Sequence, residues 1–91
     1  MPELAEFCSA MDTPFSLDNG HVLRLVEAEG SGERAPGMGR DPFRLVFLGP
    51  STPTLPQRTY RLEHDALGTL DVFLVPIARD AHGTTYEAIF G

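Results

Sequence analysis

Along most of this chain apolar and polar residues alternate with a period of two, the pattern of strands that bury one face. In residues 43–48, Phe43, Leu45 and Phe47 fall on one side and Arg44, Val46 and Leu48 on the other. Residues 59–64 place Tyr60 and Leu62 inward and Thr59, Arg61 and Glu63 outward. Residues 70–77 set Leu70, Val72 and Leu74 against Phe73, Val75 and Ile77. A strand apolar on both faces is expected to be covered on both. Pro76 lacks an N–H and fits near the end of that strand, at an edge or a bulge. Residues 85–90 set Tyr86, Ala88 and Phe90 opposite Thr85, Glu87 and Ile89.

Two more strands are predicted upstream, over residues 13–18 and 21–28. Asp18-Asn19-Gly20 joins them, and Asn-Gly is the strongest short hairpin signal. The period becomes helical over residues 2–11, where Leu4, Phe7, Cys8 and Met11 recur at i, i+3, i+4 and i+7. On that stripe Cys8 is expected to pack in the core as a small apolar side chain. Residues 30–42 hold four glycines and two prolines without any period. They predict a flexible loop, cut first at Arg34 or Arg40 in limited proteolysis. Residues 49–56, with Pro50, Pro53 and Pro56, predict an extended connection over the surface. The fold class that follows is mainly β. It is a small antiparallel six-stranded meander forming a barrel or sandwich, with one short N-terminal helix, in a single domain over residues 1–91.

Composition narrows the function classes. Thirteen acids oppose seven bases, all arginine, for a net charge of −6. Such a chain repels phosphate backbones, so no nucleic-acid partner is expected. Cys8 is the single cysteine, which excludes an internal disulfide and points to a cytoplasmic location. Residues 1–11 carry acids and no base, unlike a signal peptide, and no apolar run approaches the ~20 residues of a membrane span.

Candidate chemistry is sparse. Glu63-His64-Asp65 is the densest titratable cluster, but neighbours on a strand point to opposite faces. Asp65 is better placed to cap its own turn. The remaining enzyme reading pairs His64 with an acid from a neighbouring strand, such as Asp71. His21, His64 and His82 come from three distant segments without a close pair, so neither a metal nor a cofactor is expected. The serines lack the nucleophile-elbow context, and no lysine follows the glycine pairs as a phosphate loop requires. The expectation is a protein that is not an enzyme. Arg24, Arg44 and Arg61 form either an anion- or partner-binding patch or a solvated face paired with Glu27, Glu63 and Asp71.

The second half of the chain carries a resemblance. It runs through 43–50 (Phe-Arg-Leu-Val-Phe-Leu-Gly-Pro), 56–64 (Pro-Gln-Arg-Thr-Tyr-Arg-Leu-Glu-His), Leu67-Gly68, 73–77 (Phe-Leu-Val-Pro-Ile) and 86–90 (Tyr-Glu-Ala-Ile-Phe). These stretches resemble a family of small bacterial domains of unknown function, from about residue 15 to the C-terminus. Arg58 stands where that family usually has glycine after the glutamine, and Met11 and Asp12 occupy a stretch where it often has one. The resemblance implies no enzyme. It implies gene neighbours that look like phage-tail collar or tail-fibre components, hence an assembly or interaction role.

A helix of about ten residues is roughly 15 Å long and covers one end or one face of a sheet. The second faces of residues 43–48 and 70–77 therefore need another cover. Arg44, Val46, Leu48, Phe73, Val75 and Ile77 form the candidate interaction surface. The expected function is a non-catalytic protein-interaction or assembly domain with a protein partner or self-association. A small-ligand-binding β-barrel is the alternative.

Overall fold

The computed structural model describes residues 4–30 and 43–90. The loop expected over residues 30–42 lies, apart from Gly30, outside the described residues, as do Arg34 and Arg40. One helix, α1 (Leu4–Ser9), precedes six strands: β1 (Pro14–Leu17), β2 (Val22–Gly30), β3 (Phe43–Gly49), β4 (Arg58–His64), β5 (Gly68–Asp80) and β6 (Gly83–Phe90). All strand pairings are antiparallel, and the sheet closes on itself in the order β1-β2-β3-β6-β5-β4. The period-two pattern is realised throughout. Leu23, Leu25, Phe43, Leu45, Phe47, Tyr60, Leu62, Leu70, Val72, Leu74, Tyr86 and Ala88 all face a common interior.

The strand order corrects the simple meander. Three-strand meanders β1-β2-β3 and β4-β5-β6 are joined edge to edge, with β3 on β6 and β4 returning to β1. The cause lies in the connection between β3 and β4. It is too long for a hairpin, so β4 is free to leave β3, and the edge of β3 pairs instead along its whole length with β6.

That connection runs over the surface as expected, with Pro50, Thr52, Pro53, Thr54 and Pro56 exposed, but turns one side chain inward. Leu55 is buried in the core, and Tyr86 Oη accepts a 2.8 Å hydrogen bond from its backbone N–H. Tyr60 Oη donates to the Pro56 carbonyl at 2.5 Å, and the Thr84 hydroxyl lies 3.4 Å from the Ser51 carbonyl. These groups sit on the inner face, so they draw the chain across the end of the ring marked by Gly49 and Thr84. Tyr86→Phe keeps the ring but leaves a buried N–H without a partner. The expected loss is about 1–3 kcal/mol in urea unfolding, and an unchanged midpoint would count against the tether.

Burial pushes the Tyr60 hydroxyl above its ordinary value, against a smaller opposing effect of the Arg58 charge. The neutral phenol is the form the fold prefers. Its contribution is fully present below the unfolded-state value of about 10 and is lost as pH rises through the higher folded value. Stability measured across that alkaline range should fall in wild type and fall less in Tyr60→Phe.

The other end of the ring is closed by α1. Phe7 is fully buried, with its ring centroid 5.7 Å from those of both Phe43 and Phe90, which stack on each other at 4.9 Å. The helix is shorter than residues 2–11. After Ser9 the chain tightens into i→i+3 bonds, from Ala10 N–H to Phe7 and from Met11 N–H to Cys8, then reverses at Asp12 with φ 63°. With so few turns the buried stripe is Phe7 and Ala10, flanked by Leu4 and Met11. Cys8 falls off it and is exposed, which corrects its expected core position. No helix among the described residues is long and apolar enough to cross a membrane.

Candidate functional site: the outer face of β3, β6 and β5

Residues that alternate away from the interior share one outer face across three neighbouring strands. The β3–β6 ladder sets Arg44 beside Ile89, Val46 beside Glu87 and Leu48 beside Thr85. The β5–β6 ladder sets Val75 beside the same Glu87. Val46, Glu87 and Val75 thus form one row across three strands, and β2 extends it with Glu27 opposite Val46. Phe73 and Ile89 follow two residues beyond Val75 and Glu87 on the outward alternation, past the end of the β5–β6 pairing, and a bulge between Pro76 and Ala78 places Ile77 toward the other end of β5. That bulge accommodates Pro76, as its missing N–H requires.

All six residues expected to form an interaction surface lie on these two strands, but they differ in accessibility. Phe73 and Ile77 are 50% and 47% exposed. Leu48 and Val75 are half-buried. Val46 is only 4% exposed although it stands outside the interior cluster, so the chain already covers it and it offers little to a partner. Ile89 is 65% exposed and completes the patch. Its outward place is legible in the alternation of residues 85–90, but the assignment to a surface rested on strands apolar on both faces, and Glu87 and Thr85 hide that character in β6.

Arg44 anchors the polar side of this face. Its Nε donates to Glu87 Oε2 at 2.5 Å, while Nη1 lies 3.2 Å from Glu29 Oε1 and 3.5 Å from Glu27 Oε2. The Glu87 carboxylate is the main cause that holds the guanidinium above its ordinary value; Glu27 and Glu29 add to it. The acids contributed by β2 and β6 therefore converge on a single cation. Arg61 instead meets Asp71 across the β4–β5 ladder at 3.6 Å. Arg24, Arg44 and Arg61 accordingly form no common patch: two of them answer local carboxylates.

His64 has a different setting. Its Nδ1 accepts the backbone N–H groups of Ala66 and Leu67 at 3.0 and 3.2 Å. The ring hydrogen therefore sits on Nε2 and is donated to Thr13 Oγ1 at 2.8 Å; the hydroxyl in turn donates to the Ala10 carbonyl at 2.5 Å. The ring also lies 4.5 Å from Phe15. Every polar atom of the imidazole is used to shape the β4–β5 turn and to hold the segment after α1. Asp71 is not beside it, being on the opposite face with Arg61. His64 does border an open depression of about 170 Å³, lined also by Glu6, Ser9, Ala10, Ala66 and Leu67. Ligand pockets usually start near ~300 Å³.

His21 and His82 occupy the β1–β2 and β5–β6 turns, where their backbone N–H groups donate to Asn19 Oδ1 and Asp80 Oδ1. Among the described residues no group of three His, Cys, Asp or Glu side chains is arranged to hold a metal ion.

A family model described as a domain of unknown function (DUF6916) matches residues 2–90. No curated protein and no solved structure matches the chain.

Proposed function

We propose that this chain, which belongs to the family of domains of unknown function DUF6916, acts as a non-catalytic interaction or assembly domain that docks a protein on the outer face of β3, β6 and β5. The observation that carries the reading is the group of Phe73, Val75, Ile77 and Ile89, three exposed and one half-buried, on two neighbouring strands. Exposed apolar surface grouped on a small domain usually marks a contact site. The closed strand order favours the same place, because strand addition needs a free sheet edge and each of the six strands is paired on both sides over at least part of its length. The earlier resemblance to small bacterial domains encoded near phage-tail-collar-like proteins extends the reading to a tail-like or surface assembly, formed from the cytoplasm. The depression beside His64 could hold a small ligand, and its small size makes the apolar face the better candidate.

A photo-crosslinking residue introduced at position 89 tests this in living cells. Discrete adducts are expected from the wild-type background. They should disappear in Phe73→Asp, which remains folded because Phe73 is half exposed, whereas Val46→Asp should unfold the domain. Absence of any adduct, together with a monomeric mass in sedimentation, would overturn the proposal.

A further inference from the structure

Resting on that reading, we infer that the partner presents an apolar centre bordered by cationic side chains, and is not a second copy of this chain. The argument is electrostatic. The patch of Phe73, Val75, Ile77 and Ile89 is bordered along β6, β3 and β2 by Glu87, Glu27 and Glu29. Among the described residues one cation, Arg44, touches all three. One guanidinium shared by three carboxylates leaves that border with an excess of negative charge. Glu27 and Glu29 remain about half exposed, at 48% and 55% of their side chains, so their free oxygens are open to a further donor. On the β4 side the face is bordered by the Arg61–Asp71 pair, which adds no net charge. Among the described residues, Arg24, opposite Leu48, and Arg79, two residues past Ile77 on β5, are further cations near the face, and both lie toward its far end.

A second copy would bring the same acids against these. At a net charge of −6 the whole chain also repels itself. Arg44 offers little relief in trans, since its Nε and Nη1 are engaged in its own chain. A partner with arginine or lysine around an apolar anchor meets each requirement. It fills the apolar patch, it supplies cations beyond the single guanidinium that Glu27 and Glu29 share, and its approach is accelerated by the opposite charge.

Three synthetic peptides separate the possibilities: one alternating Arg and Phe, one Ser and Phe, one Glu and Phe, each titrated by fluorescence anisotropy at low and high salt. The Arg/Phe peptide is expected to bind at least about tenfold more tightly than the Ser/Phe peptide, and the Glu/Phe peptide weakest. Binding should weaken in Ile89→Ser, which tests the patch. It should also weaken severalfold in the double variant Glu27→Gln/Glu29→Gln, with a smaller salt dependence. The control Asp18→Asn/Glu63→Gln removes the same charge from β4 and the β1–β2 turn, away from the patch, and should bind nearly as wild type. Equal loss in that control would show attraction to net charge alone and overturn the inference. Equal binding of the Arg/Phe and Ser/Phe peptides, both abolished by Ile89→Ser, would also overturn it while leaving the docking face intact. A dimer dispersed by Ile89→Ser would again reject the cationic partner and keep the face. Binding that ignores Ile89→Ser would sink both.

Discussion

Gly83→Ala is expected to destabilise the domain by about 2–5 kcal/mol. Gly83 opens β6 immediately after the β5–β6 turn and has φ +149°, a conformation L side chains rarely adopt. Holding alanine there carries backbone strain of about 1–3 kcal/mol. A methyl group would also fall on the backbone carbonyl oxygen of Gly49 and crowd Leu48 Cδ1. Overpacking of that kind costs about 1–3 kcal/mol, and the Gly49 backbone is itself held in the β3–β6 ladder. Domains of this size are stable by roughly 0.05–0.15 kcal/mol per residue, so the change removes a large share of the total. Equilibrium urea unfolding gives the answer. A loss under about 0.5 kcal/mol would show that the hairpin can shift aside. By contrast Gly20, also at positive φ, has open space around its Cβ position, so alanine there carries backbone strain without the clash.

Phe7→Ala is expected to remove about 3–5 kcal/mol. Phe7 is the fully buried residue of a helix of only six residues, which has little stability apart from its packing. Without the ring, Phe43 and Phe90 lose the partner that covers their stacked pair, and the end of the closed sheet opens to water. The expected signature is twofold: a lower urea midpoint and faster amide exchange in β3 and β6 near Phe43 and Phe90. If only the helix amides exchange faster and the midpoint holds, α1 is an appendage and not a cap.

How much of this was legible in the sequence depends on the range of the forces involved. Phe43, Leu45 and Phe47, or Leu70, Val72 and Leu74, announce their face because the alternation of a strand is set by local geometry. Asn19-Gly20 announces its hairpin for the same reason. The pairing of β3 with β6 does not appear in any local pattern, because it is decided by which edges meet after the meanders form. Leu55 is misleading in sequence, being a single apolar residue among prolines and threonines, and only the phenol of Tyr86 explains its burial. Cys8 satisfied the i+4 spacing from Leu4 but lost its place when the helix ended after Ser9. The proposed docking face was half visible. Phe73, Val75 and Ile77 stand out because β5 is apolar on both sides, whereas Ile89 follows two polar outward residues and reads as an isolated exception. The convergence of Glu27, Glu29 and Glu87 on Arg44 required the register of three strands, which no spacing along one strand reveals.

The pairing of β1 with β4 sets the tempo of folding. Hairpins such as β1–β2 and β5–β6 can form from neighbouring residues in microseconds. The contact of Ser16 with Glu63 and of Leu17 with Leu62 joins residues 47 and 45 positions apart. It involves only a few residues of the short strand β1, so it returns little energy until the rest of the sheet is in place. Sheets dominated by such distant pairings fold in milliseconds to seconds. Until that seam closes, β1 and β4 each present an unpaired edge to every other newly made copy of the chain, and the hazard of misassembly is greatest in that interval.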